Sequence, residues 1–176
     1  MWGKIIIIFC LIISNFKISA NHNCVEKTGD ILQVALPLSA FASTFVYKNN
    51  DNGSIQCLKT IGSTFVATHA LKRTINKERP NGGGLGFPSG HTSSAFSGAA
   101  FIERRYGLKA GVPAYLLACF VGWSRVETEH HDYWDVLAGA SLGIISGYFF
   151  TTPMNHTTLE ITSFQKNACI KITISL

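Results

Sequence analysis

Charge is what this sequence has least of. Only 14% of its residues are Asp, Glu, Lys or Arg, against about 25% in an ordinary soluble domain. Together with an apolar content of 47%, this excludes a disordered chain and points to a membrane or membrane-surface setting. No Cys-x-x-Cys occurs, which removes the usual cysteine-based zinc and redox sites. No internal repeat or low-complexity linker divides the chain. Its 176 residues suffice for one domain with a buried core, so stability does not depend on disulfides or metals.

The charge that is present is unevenly placed. Lys72, Arg73, Lys77, Arg79, Arg104, Arg105 and Lys109 face only Glu78 and Glu103 in that stretch, which therefore carries the whole net charge of +5. A local basic excess suggests an anionic ligand at one place, although a solvated cationic face has the same composition. Residues 1–20 read as a secretory leader: Lys4, then the apolar run Ile5 to Ile13, then Ile18-Ser19-Ala20 before a cut. That run is too short to span a bilayer, which needs about 20 residues. Export would place Cys24, Cys57, Cys119 and Cys169 in an oxidising space where any of the three pairings is open. Cys119, inside an apolar run, is expected as a buried thiol.

Helical stretches separated by Gly, Pro and Asn make up the body. Ile31 to Tyr47 is free of charge and ends at the turn-like Asn49-Asn50-Asp51-Asn52-Gly53. Thr60 to Glu78 is expected as a second helix, closed by Pro80, and residues 81–86 as a glycine-rich turn or lid. Thr92 to Arg105, Pro113 to Arg125 and Asp135 to Phe150 are three more. In the last, Gly139, Gly143 and Gly147 recur every fourth residue, a spacing that lets helices approach closely. Only 31–47 and 136–153 approach spanning length. After Pro153 the chain alternates apolar and polar residues at 159–162 and 170–174, with Asn167 between, as in a small β-hairpin.

Three short segments carry chemistry. Lys72 and Arg79 are seven apart, which on one helix would put both cations on one face, suited to a multiply charged anion. Ser89 and Gly90, before the third helix, offer free backbone N–H groups with the helix dipole behind them. His91 follows, placed to give a proton to a group held there. His131 and Asp135 have the i, i+4 spacing that lets a carboxylate fix one imidazole nitrogen and leave the other free to attack. His130, five residues from Asp135, points elsewhere. His130, His131 and Asp132 as zinc ligands are a competing reading. The loop at 82–86 lacks a following Gly-Lys-Ser/Thr and is no nucleotide P-loop.

Taken together, Lys72-x6-Arg79-Pro80, Pro88-Ser89-Gly90-His91 and Ser124-Arg125-x5-His131-x3-Asp135 resemble the three-part signature of the type 2 phosphatidic acid phosphatase (PAP2) superfamily. That superfamily also holds bacterial class A acid phosphatases and vanadium haloperoxidases. The resemblance implies an all-α bundle of about five helices over 21–153, with 154–176 as an extension. It implies His131 as nucleophile, Asp135 as its orienting partner and His91 as acid. Lys72, Arg79, Ser89, Gly90 and Arg125 would bind the phosphoryl oxygens, with no metal or other cofactor. The expected substrate is a phosphomonoester or pyrophosphate, favouring a lipid because of the apolar composition. The expected location is the periplasm or the periplasmic side of a membrane, with no nucleic-acid partner. A soluble acid phosphatase, a vanadate-dependent haloperoxidase and a non-catalytic lipid-phosphate binder are the alternatives.

Overall fold

The computed structural model describes residues 22–47, 52–154, 156–164 and 167–175; the expected leader lies outside them. Among the described residues five helices follow in order: α1 (His22–Val46), α2 (Gly53–Thr74), α3 (Gly90–Tyr106), α4 (Leu108–Glu127) and α5 (Tyr133–Phe150). Two antiparallel strands close the chain, β1 (His156–Phe164) and β2 (Asn167–Ser175), with Leu159 opposite Ile172 and Ile161 opposite Ile170. The bundle is all-α, as expected from the sequence.

α3 is the hub, packed by the other four helices. Its sequence suits that place. Ala95, Ser97, Gly98, Ala99 and Ala100 are buried, and side chains this small let neighbours in on every side. Gly98 faces the backbone of Leu36 and Pro37 so closely that a Cβ there would lie 2.7 Å from each. Pro37 sits inside α1 and, lacking an N–H, leaves the carbonyl of Gln33 without its helical donor. Ser94 of α3 donates its hydroxyl to that carbonyl at 2.9 Å, so the acceptor that Pro37 frees is satisfied by the neighbouring helix.

The glycine stripe of α5 does what its spacing predicts. Cβ atoms at Gly139, Gly143 and Gly147 would fall 2.5 Å from the Ser89 carbonyl oxygen, 2.7 Å from that of Ser93 and 2.5 Å from the Ala100 Cβ. α2 packs by a hydroxyl stripe instead. Thr60, Thr64 and Thr68 are buried, with Thr68 donating to Ser93 Oγ at 2.9 Å and Thr60 bonded to Thr151 at 3.2 Å. The apolar core lies beneath, around Leu36, Phe96, Ala118 and Val121, with a second cluster of Ala40, Cys57 and Phe101. Cys119, expected inside, is only half-buried at the edge of the first cluster.

The second helix differs from expectation at both ends. It begins at Gly53 and stops at Thr74, with Ile75 extended, so Arg79 is not helical. The reason is a competing set of backbone bonds. Gly86 N–H donates to Lys77 at 2.6 Å and Arg79 N–H to Gly84 at 3.1 Å, with Glu78 and Leu85 bridged. Gly82 and Gly84 supply the positive φ this turn needs, 75° and 74°. The glycine-rich segment is thus the tip of a hairpin-like loop.

Candidate active site

All the residues singled out in the sequence lie at one end of the bundle. Lys72 comes from the last turn of α2. Arg79 reaches the same spot from the loop: Lys72 Nζ donates to the Leu85 carbonyl at 3.1 Å and Arg79 Nε to the same oxygen at 3.4 Å. The shared helical face expected for this pair is therefore absent, yet the loop brings the cations together.

Ser89 caps α3, its hydroxyl accepting from Thr92 N–H at 3.4 Å and bonding Thr92 Oγ1 at 2.9 Å. Ser89 N–H, expected to be free for an anion, instead donates to the Asp135 carbonyl at 2.9 Å, which ties the start of α3 to the start of α5. At Gly90 the position of a Cβ would be 3.8 Å from Lys72 Cε, so the first-turn N–H groups of α3 lie beside the cations.

Arg125, 2% exposed, is gripped on all three nitrogens. Nε donates to Ser124 Oγ at 3.2 Å, Nη1 to Asp30 Oδ1 at 2.9 Å and Nη2 to the Glu26 carbonyl at 2.8 Å. Three of its five N–H groups are thereby used. The same Asp30 oxygen is 3.1 Å from His91 Nε2. Neither Asp30 nor Glu26 was legible beforehand, because α1 carries no motif.

Between α4 and α5 the chain turns tightly. The N–H groups of His130 and His131 both donate to the Arg125 carbonyl at 3.0 and 3.1 Å, and Glu129 takes a positive φ of 55°. The turn separates the two histidines. His130 faces Thr128 at 3.0 Å and Glu26 at 3.4 Å. His131 is buried, its Nδ1 3.4 Å from Asp135 Oδ2, a separation longer than a formed hydrogen bond and of the kind that tightens on binding. Asp132 and Asp135 form a reciprocal capping box at the start of α5, with bonds of 3.0 and 3.2 Å. The i, i+4 spacing thus works across a capped turn, with His131 two residues before the first residue of α5. Among the described residues no three His, Cys, Asp or Glu side chains group as a metal site.

Lys77, which the sequence named only as part of the basic stretch, donates to Asp135 Oδ1 at 2.7 Å and also pairs with Asp132. Burial opposes its charge, but the two carboxylates hold its pKa above the ordinary lysine value. Burial, then Lys72 and Arg79, push the His131 pKa down to about 4 against the pull of Asp135. Burial, then Arg125, push His91 to about 4 against Asp30. Lys72 is lowered by burial and then by Arg79. Cations, helix amides and two imidazoles of lowered proton affinity gather at one end of the bundle, a set whose chemistry suits an anionic group.

Comparison with known proteins agrees with that class. The PAP2 superfamily model matches residues 82–158. The chain is 32% identical over 134 residues to the lipid A 1-phosphatase of Helicobacter pylori strain J99, covering 71% of this chain and 66% of that protein. It is 27% identical to the lipid A 1-phosphatase of Porphyromonas gingivalis, over 72% of this chain and 30% of that one. The chain thus spans less than two thirds of these curated relatives. Among solved structures, Aquifex aeolicus LpxE aligns with a TM-score of 0.66 at 21% identity, over 78% of this chain and 89% of that one. The transmembrane PAP2-type phosphatidylglycerolphosphate phosphatase of Bacillus subtilis aligns with 0.53 at 20% identity, over 84% and 92%. The chain belongs to the PAP2 superfamily.

Proposed function

We propose that this protein is a membrane-associated lipid phosphatase that hydrolyses a phosphomonoester or pyrophosphate through a phosphohistidine at His131. The observation that carries this reading is the His131–Asp135 pair, buried beside Lys72, Arg79 and the N-terminus of α3. A binder needs the cations but has no use for a buried, neutral imidazole backed by a carboxylate.

In this reading the phosphoryl oxygens sit between Lys72, Arg79, Arg125 and the N–H of Gly90, and Ser89, whose N–H and hydroxyl are both engaged within the fold, caps α3. His131 Nε2 attacks phosphorus, the bond to the lipid oxygen breaks, and that oxygen takes a proton from His91. Water then attacks the phosphohistidine and passes a proton to His91 as the P–N bond breaks and phosphate leaves. The cations balance charge that spreads over the equatorial oxygens.

A lipid substrate is supported by the relatives named lipid A phosphatases and by the outer surface. α1 is long and apolar enough to cross a membrane, with mean hydropathy 1.3 over its best window. Ile31, Leu38, Phe65, Leu116, Ile145 and Phe149 are all exposed, large apolar side chains that a lipid environment would cover. Tyr133 and Trp134, exposed at the site end of α5, suit the headgroup level of a bilayer, which would set the site where a lipid phosphate lies. A periplasm-facing position belongs to the same proposal, supported by the leader-like sequence of residues 1–20.

The test is phosphate release in detergent from phosphatidic acid, phosphatidylglycerophosphate, prenyl pyrophosphates and lipid A, with acid-labile, alkali-stable label trapped on the protein during turnover. Label that persists in His131→Ala, or turnover of no lipid phosphate, would refute the reading.

A further inference from the structure

Lys77 belongs to no part of the family signature, and as a loop lysine it would ordinarily be a solvated charge. Its backbone says otherwise. Its N–H donates to the Ile75 carbonyl at 2.9 Å and its own carbonyl accepts from Gly86 at 2.6 Å. Gly86 has no room to retreat, since a Cβ there would already be 3.0 Å from the Glu78 carbonyl oxygen. The loop thus holds Lys77 over the start of α5, where Nζ lies 2.7 Å from Asp135 Oδ1. The other oxygen of that fully buried carboxylate faces His131 Nδ1 at 3.4 Å. The carboxylate thus has the ammonium at one oxygen and the imidazole at the other.

We propose that Lys77 is a positioning residue for His131: it fixes and balances the Asp135 carboxylate, so that the pair orients the imidazole without trapping a proton. This rests on His131 being the nucleophile. A buried carboxylate with no cation has two outlets. It draws a proton onto the imidazole, which then cannot attack, or it takes the proton itself and no longer orients the ring. Both outlets make the pair bind one proton more tightly, so the sign does not depend on which atom carries it. The charges of Lys72 and Arg79 also act against a proton on the ring, and Asp132 competes for Lys77. His91, Arg125 and Asp30 complete the charged surroundings from α3, α4 and α1.

The experiment uses the full chain in detergent micelles and follows the His131 ring nitrogens and the Asp135 carboxyl carbon by NMR as pH falls. The parent, Lys77→Met and Lys77→Arg are compared. An opposite charge at this range moves a carboxylate by about one to three pH units, and Lys77 is one-third exposed (35%), so the lower end applies. Lys77→Met should raise the protonation midpoint of the pair by about one unit, and Lys77→Arg should restore it. Asp132→Asn, which keeps a good N-cap while removing a competitor for Lys77, should not raise it.

A midpoint unchanged in Lys77→Met at both reporters overturns the proposal, because a purely structural clip predicts lost stability without a titration change. The acid limb of kcat/KM should move with the midpoint. A moved midpoint with an unmoved limb would leave Lys77 tuning the pair and remove His131 from the attacking role, so the two readings fail separately.

Discussion

Gly139→Ala should damage both packing and catalysis, and the size of the effect can be worked from the contact. On an exposed helix this change gains about 1 kcal/mol from propensity. Here the new methyl would fall 2.5 Å from the Ser89 carbonyl oxygen and 3.3 Å from the Ser93 nitrogen, where ordinary contact begins at 3.4 Å. The obstacle is backbone on the facing helix, so α5 must move by most of an ångström. Overpacking of that kind costs about 1–3 kcal/mol; taking the upper end for a clash with backbone, the net loss is about 2 kcal/mol. For a chain of this size that lowers Tm by roughly 4–8 °C. Gly62 is the control, with nothing within 4 Å of its would-be Cβ, and Gly62→Ala should raise Tm by about 2–4 °C. Because Ser89 N–H is bonded to the Asp135 carbonyl, Gly139→Ala should also lower kcat well below its melting temperature. Thermal melts in detergent and initial rates of phosphate release read both effects. A Gly139→Ala protein that melts at or above the parent would refute the close approach of α5 to α3.

His131→Ala should reduce turnover by about 10³-fold or more, as loss of a nucleophile does, while His130→Ala keeps most activity; similar losses at both positions would contradict the divergence of their rings. Asp30→Asn removes a negative charge facing the anion site, so inorganic phosphate should inhibit about three- to tenfold more tightly; weaker inhibition would mean that Asp30 matters mainly for holding Arg125. With His131 at about 4, the acid limb of kcat/KM should lie near pH 4 rather than near the ordinary histidine value of about 6.5. With His91 also near about 4, the proton must arrive with the substrate, whose second phosphate pKa is about 6. The kcat optimum should therefore sit at higher pH than that of kcat/KM, and coincident optima would contradict the argument.

The residues that spoke from the sequence did so through local chemistry. Ser89 could be placed as a cap and Gly90 as the start of the helix, but the Ser89 amide expected to be free is taken by the Asp135 carbonyl. Gly139, Gly143 and Gly147 could be placed because a four-residue repeat of small side chains has one structural use. Lys72 and Arg79 were paired correctly for a reason that does not hold: helical periodicity failed at Thr74, and the loop bonds of Lys77, Arg79 and Gly86 took over. What stayed hidden depends on packing between distant segments. Asp30 meets Arg125 across 95 residues and Lys77 meets Asp135 across 58. No spacing rule connects such pairs, since only the folded α1 and the hairpin-like loop set their distance.

Those hidden residues reveal that the two histidines are built alike. His91 faces Asp30, whose carboxylate also holds Arg125; His131 faces Asp135, whose carboxylate also holds Lys77. In each set a carboxylate stands between an imidazole and a cation. The difference lies in burial. Asp135 is fully buried and locked by a capping box, whereas the Asp30 side chain is 47% exposed. Solvent can take over the hydrogen bonds of Asp30 but not those of Asp135. A phosphate entering between His91 and Arg125 can therefore displace Asp30 and supply the negative charge that His91 needs to hold a proton. No ligand can displace Asp135, so His131 keeps the same partner throughout. On this construction the protonation of the nucleophile is set by the fold and that of the acid by the substrate, which is how two histidines of similar proton affinity can serve opposite roles at one phosphorus atom.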